Sequence, residues 1–542
     1  MASSTEVPGS AAKSGVVLLT FASGQFLMAL DSSVMNVSIA SVAEDLGTTV
    51  TGIQGAITAY TLVMAMCMIP GGKVGVLIGR KRAFMIGCAV YGCGSLTTAL
   101  APDLTVLLLG WSLLEGIGAA LILPAIVALV AGNFTPERRP AAYGLVAAAG
   151  AVAIAVGPLV GGLATTYFSW RWVFAGEVVL VLVILFFARR FADAPTESRA
   201  RIDLVGAVLS ALGLGAFVYG VLRSSTWGWF APKPDAPSWL GISLTAWLML
   251  AGLLLVRVFL HWEARLVRHG GDPLLQPGLL ANRQLTGGLT MFFFQYFVQM
   301  GVFFVVPLYL SVALGLSALA TGARLLPLSL SLLAAAALIP RLAPRASPRR
   351  VVAWGLVALL AGAVVLLFAL DEDAGAEVVT VPLLLIGLGV GALASQLGAI
   401  TVSAVPDEEA AEVGGVQNAV TNLGSSLGTA LAGAILIAAL TSSFLTAVEA
   451  NPAVPDQVAE QAVVQLESGA PFLSDAQLES ALEEAGTSPE VTRAAMDANT
   501  TARLDGLRAA LAVLGVTTVL ALFFTPRIPT RRPGTPAPAA AP

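Results

Sequence analysis

FLMALDSSVMNVSIA, residues 26–40, is an apolar run with one carboxylate, Asp31, set in its middle. What surrounds that stretch decides how it folds. Of the 542 residues, 57% are hydrophobic and 11% charged, and the mean hydropathy is +0.84. Soluble domains carry about 25% charged and about 45–50% apolar residues. A soluble chain this apolar could not cover its surface with polar groups. The bilayer is its solvent, and the expected class is an all-α integral membrane protein.

Apolar stretches of about 20 residues suffice to cross a roughly 30 Å hydrocarbon core as helix. They recur near 16–40, 52–71, 83–101, 104–130, 141–166, 171–188, 204–222, 239–260, 285–313, 318–339, 351–370, 378–404, 414–441 and 504–525, which predicts fourteen transmembrane helices. The 55 Gly and 30 Pro are spread through these spans, as membrane helices tolerate when neighbours re-satisfy the freed backbone. The first span is too long for a signal-peptide core and is read as retained.

Lys and Arg favour the cytoplasmic side. With the N-terminus inside, 22 of the 29 basic residues fall in inside segments, Lys13, Lys73, Arg80, Lys81, Arg82, Arg349 and Arg350 among them. Both termini are then cytoplasmic. The inside loop PDEEAAEVG (406–414) is acidic and runs against the rule. Two basic loops, GKVGVLIGRKR (72–82) and PRLAPRASPRR (340–350), echo each other across the chain. They sit at equivalent places if two parallel six-helix bundles flank two inserted helices, a plan known among transporters. The expected organisation is a cytoplasmic N-terminus (1–15), a first bundle (16–190), inserted helices and linkers (191–284), helices nine to thirteen (285–442), an extracytoplasmic acidic loop (443–502), the last span (503–525) and a cytoplasmic tail (526–542). HWEARLVRHGGDPLLQPG (261–278) reads as a polar linker. The 443–502 loop holds ten acidic residues against Arg493 alone. In it, Ser474 with Gln477 reads as a capping box, and Ser488 precedes Pro489 as a second candidate cap. Short amphipathic helices are expected there.

Several stretches carry a resemblance. LDSSVMNVSIA (30–40), GKVGVLIGRKR, LLEGIGAALILPA (113–125), AVGPLVGG (155–162), WRWVF (170–174) and GVQNAVTNLGSSLGTAL (415–431) occur in order along the chain. They resemble the signatures of the fourteen-span drug/proton antiporters of the major facilitator superfamily. The resemblance implies the major facilitator fold, a bacterial cytoplasmic membrane and proton-driven export. It marks Gly72, Gly79, Arg80 and Arg82 as a gating loop, and Gly157, Pro158, Gly161 and Gly162 as the fifth-helix motif that accompanies export. The chain departs from the pattern at Val76 and Leu77, where the loop usually has an acid followed by a base. It departs also at Ser112, usually Arg, at Glu115, usually Gln, and at Glu177, commonly Asn. It therefore resembles a divergent subgroup of that branch.

A charge at mid-membrane costs at least about 2.5–3.5 kcal/mol, so intramembrane acids need a reason. Asp31 lies some fifteen residues into span one, about 22 Å at 1.5 Å per residue, in the outer half. Glu115 is near the middle of span four and Glu177 about two turns into span six. All three are candidates for proton coupling or substrate binding, with fixed helix–helix hydrogen bonds as the competing role. Arg324, entering span ten, is an available partner for an acid or an anionic group, or else reaches to the interface. Asn36, Gln295, Gln299, Gln396, Gln417, Asn418 and Asn422 are candidate cavity-lining residues, with interhelical hydrogen bonds as the alternative.

The chain carries no nucleotide loop, metal-spaced cluster or nucleophilic triad, so no enzyme, cofactor or nucleic-acid role is expected. The expected function is proton-coupled efflux of hydrophobic small molecules, cationic ones among them, by a monomer working through alternating access. Its partners are then substrate, protons and the lipid bilayer. Export of a lipid or secreted metabolite, and a non-transporting sensor or scaffold, are the alternatives.

Overall fold

The computed structural model describes residues 8–530 apart from 49, 136, 191–192, 194–202, 235, 372–373, 407–408, 450–477, 481 and 483–486. Long helices dominate it. They are α1 (Pro8–Asp45), α2 (Val50–Ile78), α3 (Arg80–Ala99), α4 (Leu104–Asn133), α5 (Arg139–Tyr167), α6 (Arg171–Ala188) and α7 (Leu204–Trp227). Then come α8 (Leu244–Arg268), α9 (Arg283–Ala313), α10 (Ala318–Leu342), α11 (Pro348–Ala369), α12 (Thr380–Val402), α13 (Ala410–Glu449) and α14 (Pro489–Phe524). A two-stranded antiparallel turn, β1 (Ser238–Trp239) with β2 (Ile242–Ser243), joins α7 to α8.

Thirteen of these helices are long and apolar enough to cross a membrane; α3 is the one outside that set. It nevertheless runs from one end of the bundle to the other. Its start sits with the α6–α7 connection, Lys81 N donating to Asp193 Oδ1 at 2.9 Å and Lys81 Nζ to the Arg189 carbonyl at 3.2 Å. At its far end the Ala101 carbonyl accepts from Arg171 at the start of α6, and Arg171 also pairs with Asp45 at the end of α1. Besides Phe84 and Tyr91, the buried face of α3 carries Gly87, Gly92, Gly94, Ser95 and Thr98, small and polar residues that protein neighbours cover in place of lipid. Gly79 caps α3 with φ of 97°, backbone that glycine adopts without the steric penalty of a Cβ.

The helices sort into two groups. In the first, α1 packs on α5 and α6, α2 on α4, and α3 on both α4 and α6; in the second, α9, α12, α13 and α14 interlock with α10 and α11. The hairpin α7–α8 lies against α2 and α13. The groups join at the end that carries the α2–α3 turn. There one core takes Val76, Phe84, Val127 and Ala142 from the first group with Leu285, Val402, Val405 and Val413 from the second. Close approaches of Gly414 to the Pro124 carbonyl, Gly415 to the Met68 carbonyl, and Gly398 to the Tyr143 ring fasten that end. Lys73 and Glu412 close it with a buried 2.8 Å ion pair. The acidic 406–414 loop, anomalous by charge alone, thus supplies the partner of a buried lysine.

Several helices outrun their hydrophobic spans. Residues 261–268, expected as linker, continue α8, where Glu263 is fully buried and accepts from Leu274 N at 2.9 Å. Residues 489–502, expected as part of the outer loop, are continuous with the last span in one helix. Ser488 caps it, accepting from Val491 N, with Pro489 at the first position. Hydropathy marks only the lipid-crossing part of a helix. Beyond it, α13 and α14 keep packing through Phe444, Ala447 and Ala498, and Ser443 Oγ donates to Asp505 Oδ2 at 2.7 Å. The capping box at Ser474 and Gln477 lies outside the described residues.

Candidate functional site

The three intramembrane acids converge. Asp31 from α1, Glu115 from α4 and Glu177 from α6 are dozens of residues apart in the chain, yet one carboxyl oxygen from each lies within 4.8 Å of the other two. All three are buried, at 0%, 0% and 2% exposure. No ion pair reaches any of them among the described residues.

Local structure explains the convergence. Residues Leu108–Glu115 of α4 wind as π-helix, a rare form that often marks functional sites. The stretch carries both Trp111 and Glu115. Helices α3 and α4 touch through glycines: a Cβ on Gly94 would come within 2.6 Å of Glu115 Cγ, and one on Gly110 within 2.9 Å of the Gly94 carbonyl. Glycine at these positions leaves the room Glu115 occupies. On the other side, α5 lays its small residues on α1, where a Cβ on Gly157 would collide with Ser33 Oγ and one on Gly161 would sit 3.2 Å from Val34. Ser33 Oγ donates to the Ile154 carbonyl at 2.9 Å.

Each acid has one neutral partner. Trp111 Nε1 donates to Asp31 Oδ1 at 2.7 Å, and its ring stacks on Tyr60 with centroids 5.2 Å apart. Ser95 Oγ donates to Glu177 Oε2 at 3.1 Å. Thr98 Oγ1 lies 2.9 Å from the Gly94 carbonyl and 3.2 Å from Glu115 Oε1. A hydroxyl carries one hydrogen, so when Thr98 donates it to Gly94, a protonated Glu115 can donate to Thr98. The second oxygens, Asp31 Oδ2, Glu115 Oε2 and Glu177 Oε1, have no hydrogen-bond partner. The Tyr91 hydroxyl faces Asp31 and Glu115 without closing a bond of normal geometry. An apolar cluster with Met35, Ala56, Tyr60, Leu107, Trp111 and Phe174 packs beside the acids.

Ionised together, any two of these groups would repel by at least about 3.5 kcal/mol at an effective dielectric near 20. Three charges without a cation are untenable in such a site. The arrangement either shares protons or takes up a positive ion, for which carboxyl oxygens are the hard donors that Na⁺, Mg²⁺ or Ca²⁺ use. No other group of three His, Cys, Asp or Glu side chains meets at such distances among the described residues.

The remaining candidates stand elsewhere. Arg324 is half-buried on α10, in the other helix group, and forms no ion pair with the acids. Gln295 and Gln299 are buried on α9, and the Gln295 Oε1 has no partner. Gln396 Nε2 donates to Ser395 Oγ at 3.1 Å, Gln417 Oε1 accepts from Thr401 Oγ1 at 3.0 Å, and Asn418 Nδ2 donates to the Gly414 carbonyl at 2.9 Å. Asn422 is half-buried on α13. Acids thus gather in the first group and these amides in the second. In the 72–82 stretch, Gly72, Gly79 and Arg80 are buried and Arg82 is exposed; Gly162 is half-buried. The side chains of Asn36 and Pro158 lie outside the described residues. Trp111, Thr98, Ser95 and Lys73 were not singled out in sequence as site residues. The signal for Trp111 is its place four residues before Glu115 on a helix, which puts both on one face.

Comparison with known proteins agrees with the geometry. Residues 21–429 match the family model described as Major Facilitator Superfamily. The chain is similar to the puromycin resistance protein pur8 of Streptomyces alboniger, 34% identical over 442 residues, covering 80% of this chain and 84% of that one. It is also similar to the multidrug resistance protein Stp of Mycobacterium tuberculosis, 26% identical over 456 residues, covering 83% and 81%. Among solved structures, the proton:xylose symporter XylE superposes with a TM-score of 0.54 at 14% identity, covering 95% of both chains. The multi-pass helical fold and the length of the family match lead to one conclusion: the chain belongs to the major facilitator superfamily and is a transport protein, not an enzyme.

Proposed function

We propose that this protein exports hydrophobic small molecules, cationic ones among them, across a bacterial cytoplasmic membrane in exchange for protons. Both termini lie in the cytoplasm and all fourteen helices, α3 included, span the bilayer. One observation carries the reading: three buried carboxyl groups meet without a counter-charge in the helix group that also holds the small-residue face of α5. Antibiotic and multidrug resistance in the named relatives supports export as the direction. The fastened end of the bundle supports alternating access, with Lys73–Glu412 parting when the halves rock.

A site that accepts protons on one face of the membrane and releases them on the other biases the two conformations reciprocally with substrate. The amides on α9, α12 and α13 face the transport path as polar anchors for a ligand held mainly by apolar contact. The test is substrate-dependent proton movement in proteoliposomes with an imposed pH gradient, using a panel of lipophilic cations and neutral compounds. Asp31→Asn should express and fold normally and lose gradient-driven efflux. Undiminished efflux in that variant, or drive by a sodium gradient alone, would sink the proton assignment.

A further inference from the structure

The outer wall of the second helix group holds a groove unrelated to the acids. Helices α10 and α11 follow each other in sequence and both pack along α12, yet hardly touch one another. Where they splay, a lipid-facing recess of about 570 Å³ opens, with Leu338 and Leu342 on one wall, Trp354 and Ala358 on the other, and Leu388 at the floor. Its lining is apolar except at one end, where Arg350 enters it. Leu342 and Trp354 are 78% and 71% exposed, so no element among the described residues covers the recess. Arg341 lies in the last turn of α10, one residue before the lining residue Leu342, and Arg345 in the turn that follows, one residue before the lining residue Ala346. Both are exposed, as is Arg350. Arg349 is committed elsewhere, to the Ile528 and Pro526 carbonyls at 2.9 and 2.8 Å.

We propose that this groove binds an anionic phospholipid from the leaflet facing the basic loops, its phosphate on Arg350 with Arg341 or Arg345 and one acyl chain along the recess. The polarity of the groove, cationic at the interface and apolar below, is that of a leaflet lipid. Basic pockets between transmembrane helices on the cytoplasmic side recognise such headgroups. A guanidinium grips a phosphate through paired hydrogen bonds that a net-neutral headgroup rewards less. A second copy of the chain is the poorer occupant, because a twofold contact would set the three arginines against their own images.

Native mass spectrometry on the detergent-purified full chain, incubated with equal amounts of phosphatidylglycerol and phosphatidylcholine, tests this. The wild type should retain about one phosphatidylglycerol in preference to phosphatidylcholine, and Arg341→Gln/Arg345→Gln/Arg350→Gln should weaken that retention roughly tenfold. Ala358→Phe, which fills the recess and leaves the arginines, should lose the lipid as well. If Ala358→Phe fails to fold, Trp354→Ala, at an exposed position, reports on the same wall. Equal retention of both lipids, unchanged retention in the arginine variant, or a dimer in place of the bound lipid overturns the proposal.

Discussion

Replacing Trp111 with Phe keeps the aromatic stack on Tyr60 and deletes the donor to Asp31. A hydrogen bond to a charged group is worth about 1.5–3 kcal/mol, so efflux should fall about tenfold or more with expression unchanged, as read in everted vesicles. If Trp111 only fills space, Phe will transport normally. The acids were legible one by one in the sequence, because a carboxylate in an apolar run is costly and conspicuous. Their convergence was not. It depends on which faces of α1, α4 and α6 turn inward, and a π-wound stretch shifts the register of α4 in a way no 3.6-residue periodicity announces. Arg324 was equally conspicuous and stands apart from the acids, since a lone charge reveals its cost but not its neighbour.

At the scale of helices, the α3–α4 contact supports the site directly. Gly94→Val would drive its methyl groups into Glu115 and the Gly110 carbonyl. Overpacking of this kind costs about 1–3 kcal/mol, so the melting temperature should drop measurably, and efflux should fall further than stability alone explains. Wild-type melting and transport in the Gly94→Val protein would show that the two helices part freely. Thirteen predicted spans correspond to apolar helices, because about 20 apolar residues in a row have few other uses. Helix ends were read poorly. The α14 helix begins at Pro489, well before the last hydrophobic span, since its early turns pack on α13 instead of on lipid.

Across the whole molecule, the join between the two helix groups rests partly on Lys73 and Glu412, whose side chains are 7% and 6% exposed. Removing one partner of a buried pair leaves an uncompensated charge and costs about 3–5 kcal/mol, whereas replacing both by apolar residues is often neutral. Lys73→Met should therefore destabilise strongly in a thermal-shift assay, and Lys73→Met/Glu412→Met should recover most of the loss. A double variant no better than the single ones would refute the pairing. The two-bundle plan was visible as an echo of basic loops. The Lys73–Glu412 contact was hidden because its members lie in different halves, and neither 72–82 nor 406–414 names the other.

The sparse greasiness of α3 has a consequence for how the chain enters the membrane. A segment opening with Arg80, Lys81 and Arg82 and carrying Gly, Ser and Thr along its buried face gains little from lipid by itself. During synthesis it should wait beside the insertion channel until α4 and α6 arrive to cover it. Nascent chains cut after residue 103 and bearing a glycosylation or phosphatase reporter should leave it incompletely inserted. Chains extended to residue 190 should seat it fully. Equal insertion at both lengths would mean that the helix crosses on its own.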